Sequence, residues 1–230
     1  MSPQESWEQV LAAAARLQRL VPDAILVGGT AAATHASHRV SLDDDHVLAD
    51  LRERFDEILD HLERSDGWVT ARVNRPVLIL GSLDGVETGI RQLIRIRPLE
   101  IEEIETPAGR LRVPTLEEML RVKAWLVLRR NATRDYLDTV ALADRLGVDA
   151  AAAVVLELDT FYEDQAGAGG RRIATQLAKQ LADPAPYDLS EIDLLTYRAL
   201  QPRWRDWANV EEACGELARR MLDALAGDAV

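Results

Sequence analysis

The sequence predicts an α/β (α+β) protein, mixed to about residue 114 and helical after it. Three observations carry that reading. Before residue 114, short apolar runs of strand length are separated by turn residues and by helical patterns. From Asp149 onward apolar residues recur only at helical spacing. The changeover falls at Thr115-Leu116-Glu117-Glu118, a capping-box pattern that starts a helix. Two domains follow, an α/β core over 1–114 and a helical domain over 115–230.

Ser6-Trp7-Glu8-Gln9 is a first capping box, predicting an amphipathic helix from there to Leu20, broken by Pro22-Asp23. The apolar run from Ala24 to Gly28 predicts a buried strand, ended by Gly28-Gly29. Thr30 to His38 is alanine-rich and predicts a short helix, and the aspartates after it begin a second short strand through His46 and Val47. Leu51, Phe55, Ile58, Leu59 and Leu62 share one face of the next helix. "WVTARV", "PVLIL" and "VETGIRQLIRIR" predict three strands, with a turn at Ser82 to Gly85 between the last two. "PLEIEEIET" and "GRLRV" flank "PAG", which predicts a further hairpin. The helix from Thr115 runs to Arg130, is interrupted at Asn131-Ala132-Thr133 and resumes to Leu146. Later breaks are expected at "GAGG" (167–170), "DPAP" (183–186) and Gln201-Pro202.

Composition narrows the class. The 230 residues, 47% hydrophobic and 29% charged, suit a soluble globular chain with one sizeable core or two small ones. No apolar run approaches the roughly 20 residues of a membrane span, and the first ten residues lack the pattern of a secretory signal. A single cysteine, Cys214, excludes an internal disulfide and fits a helical core position. A cytoplasmic address without membrane association is expected. The net charge of −12 argues against a protein that coats nucleic acid. From Arg91 to Arg134, however, ten basic residues face six acidic ones. That local surplus is compatible with an anionic ligand.

The segment "GGTAAATHASHRVSLDDDHV" (28–47) holds the candidate chemistry. On a strand, Asp43 and Asp45 point to one side, about 6.6 Å apart along the chain, and Asp44 points to the other. Two carboxylates so spaced can share a divalent cation, and hard oxygen ligands suit Mg²⁺. A solvated turn is the alternative. Just upstream, a strand ending in Gly28-Gly29-Thr30 opens a helix, whose free N–H groups favour a phosphate. Phosphate cradle and metal carboxylates together are the parts of nucleotidyl transfer.

Gly28-Gly29-Thr30, twelve residues and then Asp43-x-Asp45 resembles the signature of the DNA polymerase β-like nucleotidyltransferases. "HRVSLDDD", together with "KAWLVLRRNATRDYLDTVALADRL" (123–146), resembles the AbiEii/MenT-type nucleotidyltransferase toxins. The resemblance covers roughly residues 24 to 146. It implies a polymerase β-like core with a mixed sheet, its cleft completed by the helical domain. It implies Mg²⁺, a nucleoside triphosphate (NTP) as substrate, a tRNA acceptor and a cognate antitoxin. By position, Asp43 and Asp45 hold metal, and Gly28 and Gly29 approach the triphosphate. Thr30 or Ser41 bonds a phosphate. Lys123, one of only two lysines among 27 basic residues, neutralises triphosphate charge. Asp135 and Asp138 complete or orient that site, with Arg134 beside them. Two departures stand out. The residue between the metal aspartates is usually apolar and here is Asp44. A third carboxylate often lies on a later strand, and Glu87 is the candidate. The rivals are transfer to a small cationic molecule, as in aminoglycoside nucleotidyltransferases, and a non-catalytic partner-binding protein.

Overall fold

The computed structural model describes residues 3–165 and 172–227. The expected break at 167–170 lies outside the described residues. The chain divides into two compact units, one of residues 1–34 and 40–115, the other of residues 35–39 and 116–230. Residues 35–39 thus group with the helices although they precede every strand but one.

In the first unit the order is α1 (Pro3–Leu20), β1 (Ile25–Val27), α2 (Gly28–Ala36, of which the last two residues group with the second unit), β2 (Asp44–Leu48) and α3 (Leu51–Glu63). Then come β3 (Trp68–Asn74), β4 (Leu78–Leu83), β5 (Val86–Gln92), β6 (Ile101–Thr106) and β7 (Gly109–Pro114). Five strands form one mixed sheet in the order β1-β2-β5-β4-β3, and β6 and β7 form a separate hairpin. β2 and β5 are parallel, and the other neighbours in the sheet are antiparallel. Helices α1 and α3 bury one sheet face: Leu17, Leu51, Phe55, Ile58 and Leu62 pack with Leu48, Ile79, Leu83 and Ile90. The β4–β5 turn is Asp84-Gly85, both with positive φ (53° and 82°), a two-residue turn whose twist matches the strands.

Two elements differ from the sequence expectation. α1 begins at Pro3, so Ser6 is buried in its first turn and does not cap it. A proline is tolerated at the first helical position, so the helix has no need to wait for the serine. The apolar–polar alternation of "VETGIRQLIRIR" predicts a strand to Arg97, yet β5 stops at Gln92. Its neighbours run out there: β2 ends at Leu48, whose carbonyl accepts from Leu93 N, and the paired stretch of β4 begins at Leu78, opposite Arg91. Beyond that point Arg95 turns inward and donates to the carbonyls of Arg97 and Pro98, and Ile94 and Ile96 are exposed.

The second unit is helical: α4 (Leu116–Arg130), α5 (Thr133–Leu146), α6 (Val148–Leu156), α7 (Leu158–Phe161), α8 (Ile173–Ala182) and α9 (Trp207–Gly227). Tyr136, Leu137, Leu177, Trp204, Val210 and Leu217 are among its buried side chains. Cys214 is in that core, and burial pushes its thiol up to about 12, so it is no nucleophile. Among the described residues no helix is long and apolar enough to cross a membrane.

Candidate active site

β1 runs into α2 with no intervening residue, which Gly28 allows by adopting φ +74°. The first amides of α2 therefore stand at the end of β1, next to β2. Burial along β2 alternates: Asp44, His46 and Leu48 are buried, Asp45 and Val47 are half-buried, and Asp43 just before the strand is half-buried too. Asp43 and Asp45 therefore share the open side of the sheet, and Asp44 faces the helical layer.

Asp45 is held by its surroundings. Its register partners are Val27 on β1 and Gly89 on β5. A Cβ placed on Gly28 would lie 3.2 Å from Asp45 Cβ and 3.3 Å from its Oδ2. A Cβ on Gly89 would lie 2.7 Å from its Oδ1. Glycine on both sides lets the carboxylate lie flat between two backbones. Arg91, two residues beyond Gly89 on the same face of β5, brings its Nε to 3.4 Å from Asp45 Oδ1.

Asp43 is held by hydroxyls. The buried Thr30 donates its Oγ1 proton to the Asp43 carbonyl at 2.6 Å, and Ser41 Oγ donates to Asp43 Oδ1. Thr30 or Ser41 was expected on a phosphate. In this structure both hydroxyls donate to Asp43, because α2 and the loop before β2 converge on that residue. Glu87, expected as a third acid, is exposed on β5 with Ser82 of β4 as its register partner. Among the described residues no three His, Cys, Asp or Glu gather to hold a metal ion.

On the other side of β2, Asp44 Oδ1 lies 3.1 Å from His46 Nδ1, and both side chains are fully buried. The distance is that of an ion pair, but the angles make no hydrogen bond. Gln18 of α1 reaches His46 Nε2 at 3.4 Å and bonds both the N–H and the carbonyl of Arg112 on β7.

The second unit gathers a different group. Lys123 of α4 places its Nζ 2.6 Å from Asp138 Oδ2 on α5. Arg39 donates from Nε at 2.8 Å and from Nη2 at 3.1 Å to the same carboxylate, and His38 Nε2 lies 2.7 Å from its Oδ1. All four are buried. Burial by itself raises the Asp138 pKa, but Arg39, then Lys123, then His38 outweigh it, and the group is held well below the usual carboxylate range. Asp135 is elsewhere: its buried carboxylate takes a bidentate pair from Arg130, at 2.6 and 3.1 Å, and it does not join Lys123. Arg134 is exposed at the start of α5. The sequence points to Lys123 and Asp138 but gives His38 and Arg39 no part. The signal for both is their place at the start of "HRVSLDDD".

The AbiEii family model, described as nucleotidyl transferase AbiEii toxin of a type IV toxin–antitoxin system, matches residues 9–226. The heme uptake protein MmpL11 of Mycobacterium tuberculosis is 34% identical over 234 residues, covering 96% of this chain and 23% of that protein. The mycolic acid-containing lipids exporter MmpL11 of Mycolicibacterium smegmatis is 34% identical over 127 residues, covering 55% of this chain and 13% of that one. The chain thus spans about a quarter or less of the length of these curated relatives. Among solved structures, a chain from H. pylori described as a nucleotidyltransferase has TM-score 0.50 at 14% identity, with 98% of this chain and 94% of that chain covered. The antibiotic-resistance factor ANT(2'')-Ia has TM-score 0.51 at 10% identity, with 72% and 96% covered. At such identities the likeness is one of fold.

Proposed function

The chain belongs to the AbiEii nucleotidyl transferase toxin family, and from that premise we propose that it transfers a nucleotide from an NTP to an RNA acceptor, tRNA being the acceptor that the resemblance implies. The observation that carries the reading is the pair Asp43 and Asp45 on one open face, beside the N-terminus of α2. The donor set fits Mg²⁺, which commonly keeps several waters and binds through one or two carboxylates plus substrate phosphates. Asp43 and Asp45 would hold it, and when bound it supplies Lewis-acid polarisation of the α-phosphate. The amides of Gly28, Gly29 and Thr30 receive phosphate oxygens. Thr30 and Ser41 keep Asp43 in place. An acceptor hydroxyl forms the new bond to the α-phosphorus and loses its proton, and the bond to pyrophosphate breaks. Lys123, with Arg39 and Asp138, forms a group of two full cations on one carboxylate. We assign its surplus positive charge to the triphosphate on residue pattern, in agreement with the family resemblance. As a toxin it would have a cognate antitoxin and would act in the cytoplasm, where NTP and tRNA meet.

The test is incubation with labelled NTPs, Mg²⁺ and total RNA. Label entering RNA, lost in Asp43→Asn and Asp45→Asn, supports the reading. A second reading, a small polycationic acceptor, is favoured by one observation. Of the ten basic residues from Arg91 to Arg134, at least seven donate within the protein: Arg91, Arg95, Arg110, Arg112, Arg121, Lys123 and Arg130. Label entering an aminoglycoside and not RNA would select that reading. Label entering neither would leave a partner-binding protein.

A further inference from the structure

Arg91 has no part in the mechanism above, yet it is the one cation whose hydrogen bond to Asp45 is seen among the described residues. β5 sets this up. Its position opposite Asp45 is Gly89, where a Cβ would crowd Asp45 Oδ1 at 2.7 Å. The next residue on the same face is Arg91, half-exposed, with its guanidinium reaching back along the strand. At 3.4 Å the contact is at the long end of the hydrogen-bond range, so it is weak and easily broken. It engages Oδ1, and Oδ2 lies on the Gly28 side.

We propose that Arg91 is a resident counter-ion of Asp45 that a divalent cation must displace, and that the released guanidinium then binds the triphosphate. The inference rests on the reading of Asp43 and Asp45 as the metal carboxylates. Without Arg91 the pair presents two negative charges to an incoming cation. With Arg91 in place it presents one, and metal alone binds poorly. A metal–triphosphate complex brings its own anion, and a planar guanidinium on a flexible stem matches phosphate oxygens. Metal and nucleotide therefore load together, and each loads weakly alone.

The two halves of the proposal have opposite signs, and binding measurements separate them. Mn²⁺ binding is read by electron paramagnetic resonance, and tripolyphosphate binding in Mg²⁺ by calorimetry. Arg91→Ala should tighten Mn²⁺ alone by about fivefold and weaken Mg²⁺-tripolyphosphate by about tenfold, given a charge pair at a half-exposed site. Arg91→Lys, which keeps the charge and loses the fork, should fall between. The melting temperature should hold in both, since the side chain is half-exposed. If both affinities move in the same direction, or neither moves, the counter-ion role is overturned. Asp45→Asn is the control. If it leaves Mn²⁺ binding intact, the metal reading itself fails. If it abolishes Mn²⁺ binding and Arg91→Ala changes nothing, only the inference about Arg91 fails.

Discussion

Asp138 carries one negative charge against the ammonium of Lys123 and the guanidinium of Arg39, with His38 as a fourth member. Removing it takes that shared carboxylate away from two buried cations. Asp138→Ala should cost about 3–5 kcal/mol in urea unfolding, the range for breaking a buried pair from one side. The pH dependence has a definite sign. A carboxylate whose folded pKa is depressed adds stability above its unfolded value, about 3.9, and loses it as pH falls through the lower folded value. The gap in unfolding free energy between wild type and Asp138→Asn should therefore be widest above about pH 4 and narrow below it. A gap constant from neutral to acid pH would contradict the assignment. Gly89 makes a different case. Gly89→Ala puts a Cβ 2.7 Å from Asp45 Oδ1. The carboxylate and Leu80 Cδ2, 3.0 Å away, must both give way, so stability should fall by about 1–3 kcal/mol. Transfer should fall by about a hundredfold, because a displacement near 1 Å at the reacting centre costs that much. Equal loss of both would mean the strand itself is disrupted. At this scale Gly28 was legible because it sits in a glycine pair between strand and helix patterns. Gly89 was not, since a single glycine in "VETGIRQ" has no meaning until the register sets it against Asp45.

Among the elements, β1 and the turn into α2 were legible because the strand is short, apolar and ended by glycine, and β2 was legible from its aspartate run. The length of β5 was not. Alternation shows which residues would face a core, and it does not show whether a neighbouring strand still runs alongside. Likewise the sequence offered Thr30 and Ser41 as hydroxyls beside a phosphate cradle. That they reach Asp43 depends on where the loop from α2 returns, and no local pattern encodes that return. Thr30→Val tests their place between elements. The swap keeps the shape and removes the donor to the Asp43 carbonyl, so chemical denaturation should show a loss of about 1–3 kcal/mol. Unchanged stability with a raised nucleotide KM would return the hydroxyl to the phosphate.

For the whole molecule, charge frames the question of the acceptor. The basic surplus of residues 91–134 was legible as a count, but its use inside the protein was not, because partners such as Glu157 for Arg121 are distant in sequence. The exposed Arg129 and Arg134 are therefore better probes than Arg95 or Arg130. If RNA is the acceptor, Arg129→Glu and Arg134→Glu should each raise its KM several-fold with little change in NTP binding. RNA affinity should then fall with salt at a log–log slope of about −0.7 per phosphate contact. A salt-independent affinity would favour the small polycation. The grouping of residues 35–39 with the helices has a consequence for how such a chain can be cut and recombined. A fragment ending at 115 would carry away His38 and Arg39, and a fragment starting at 116 would hold Lys123 and Asp138 without them. A chimera joined at the apparent midpoint would pair one parent's arginine with the other parent's aspartate. The four residues must therefore be inherited as a set, and the halves of this protein cannot be shuffled as independent modules.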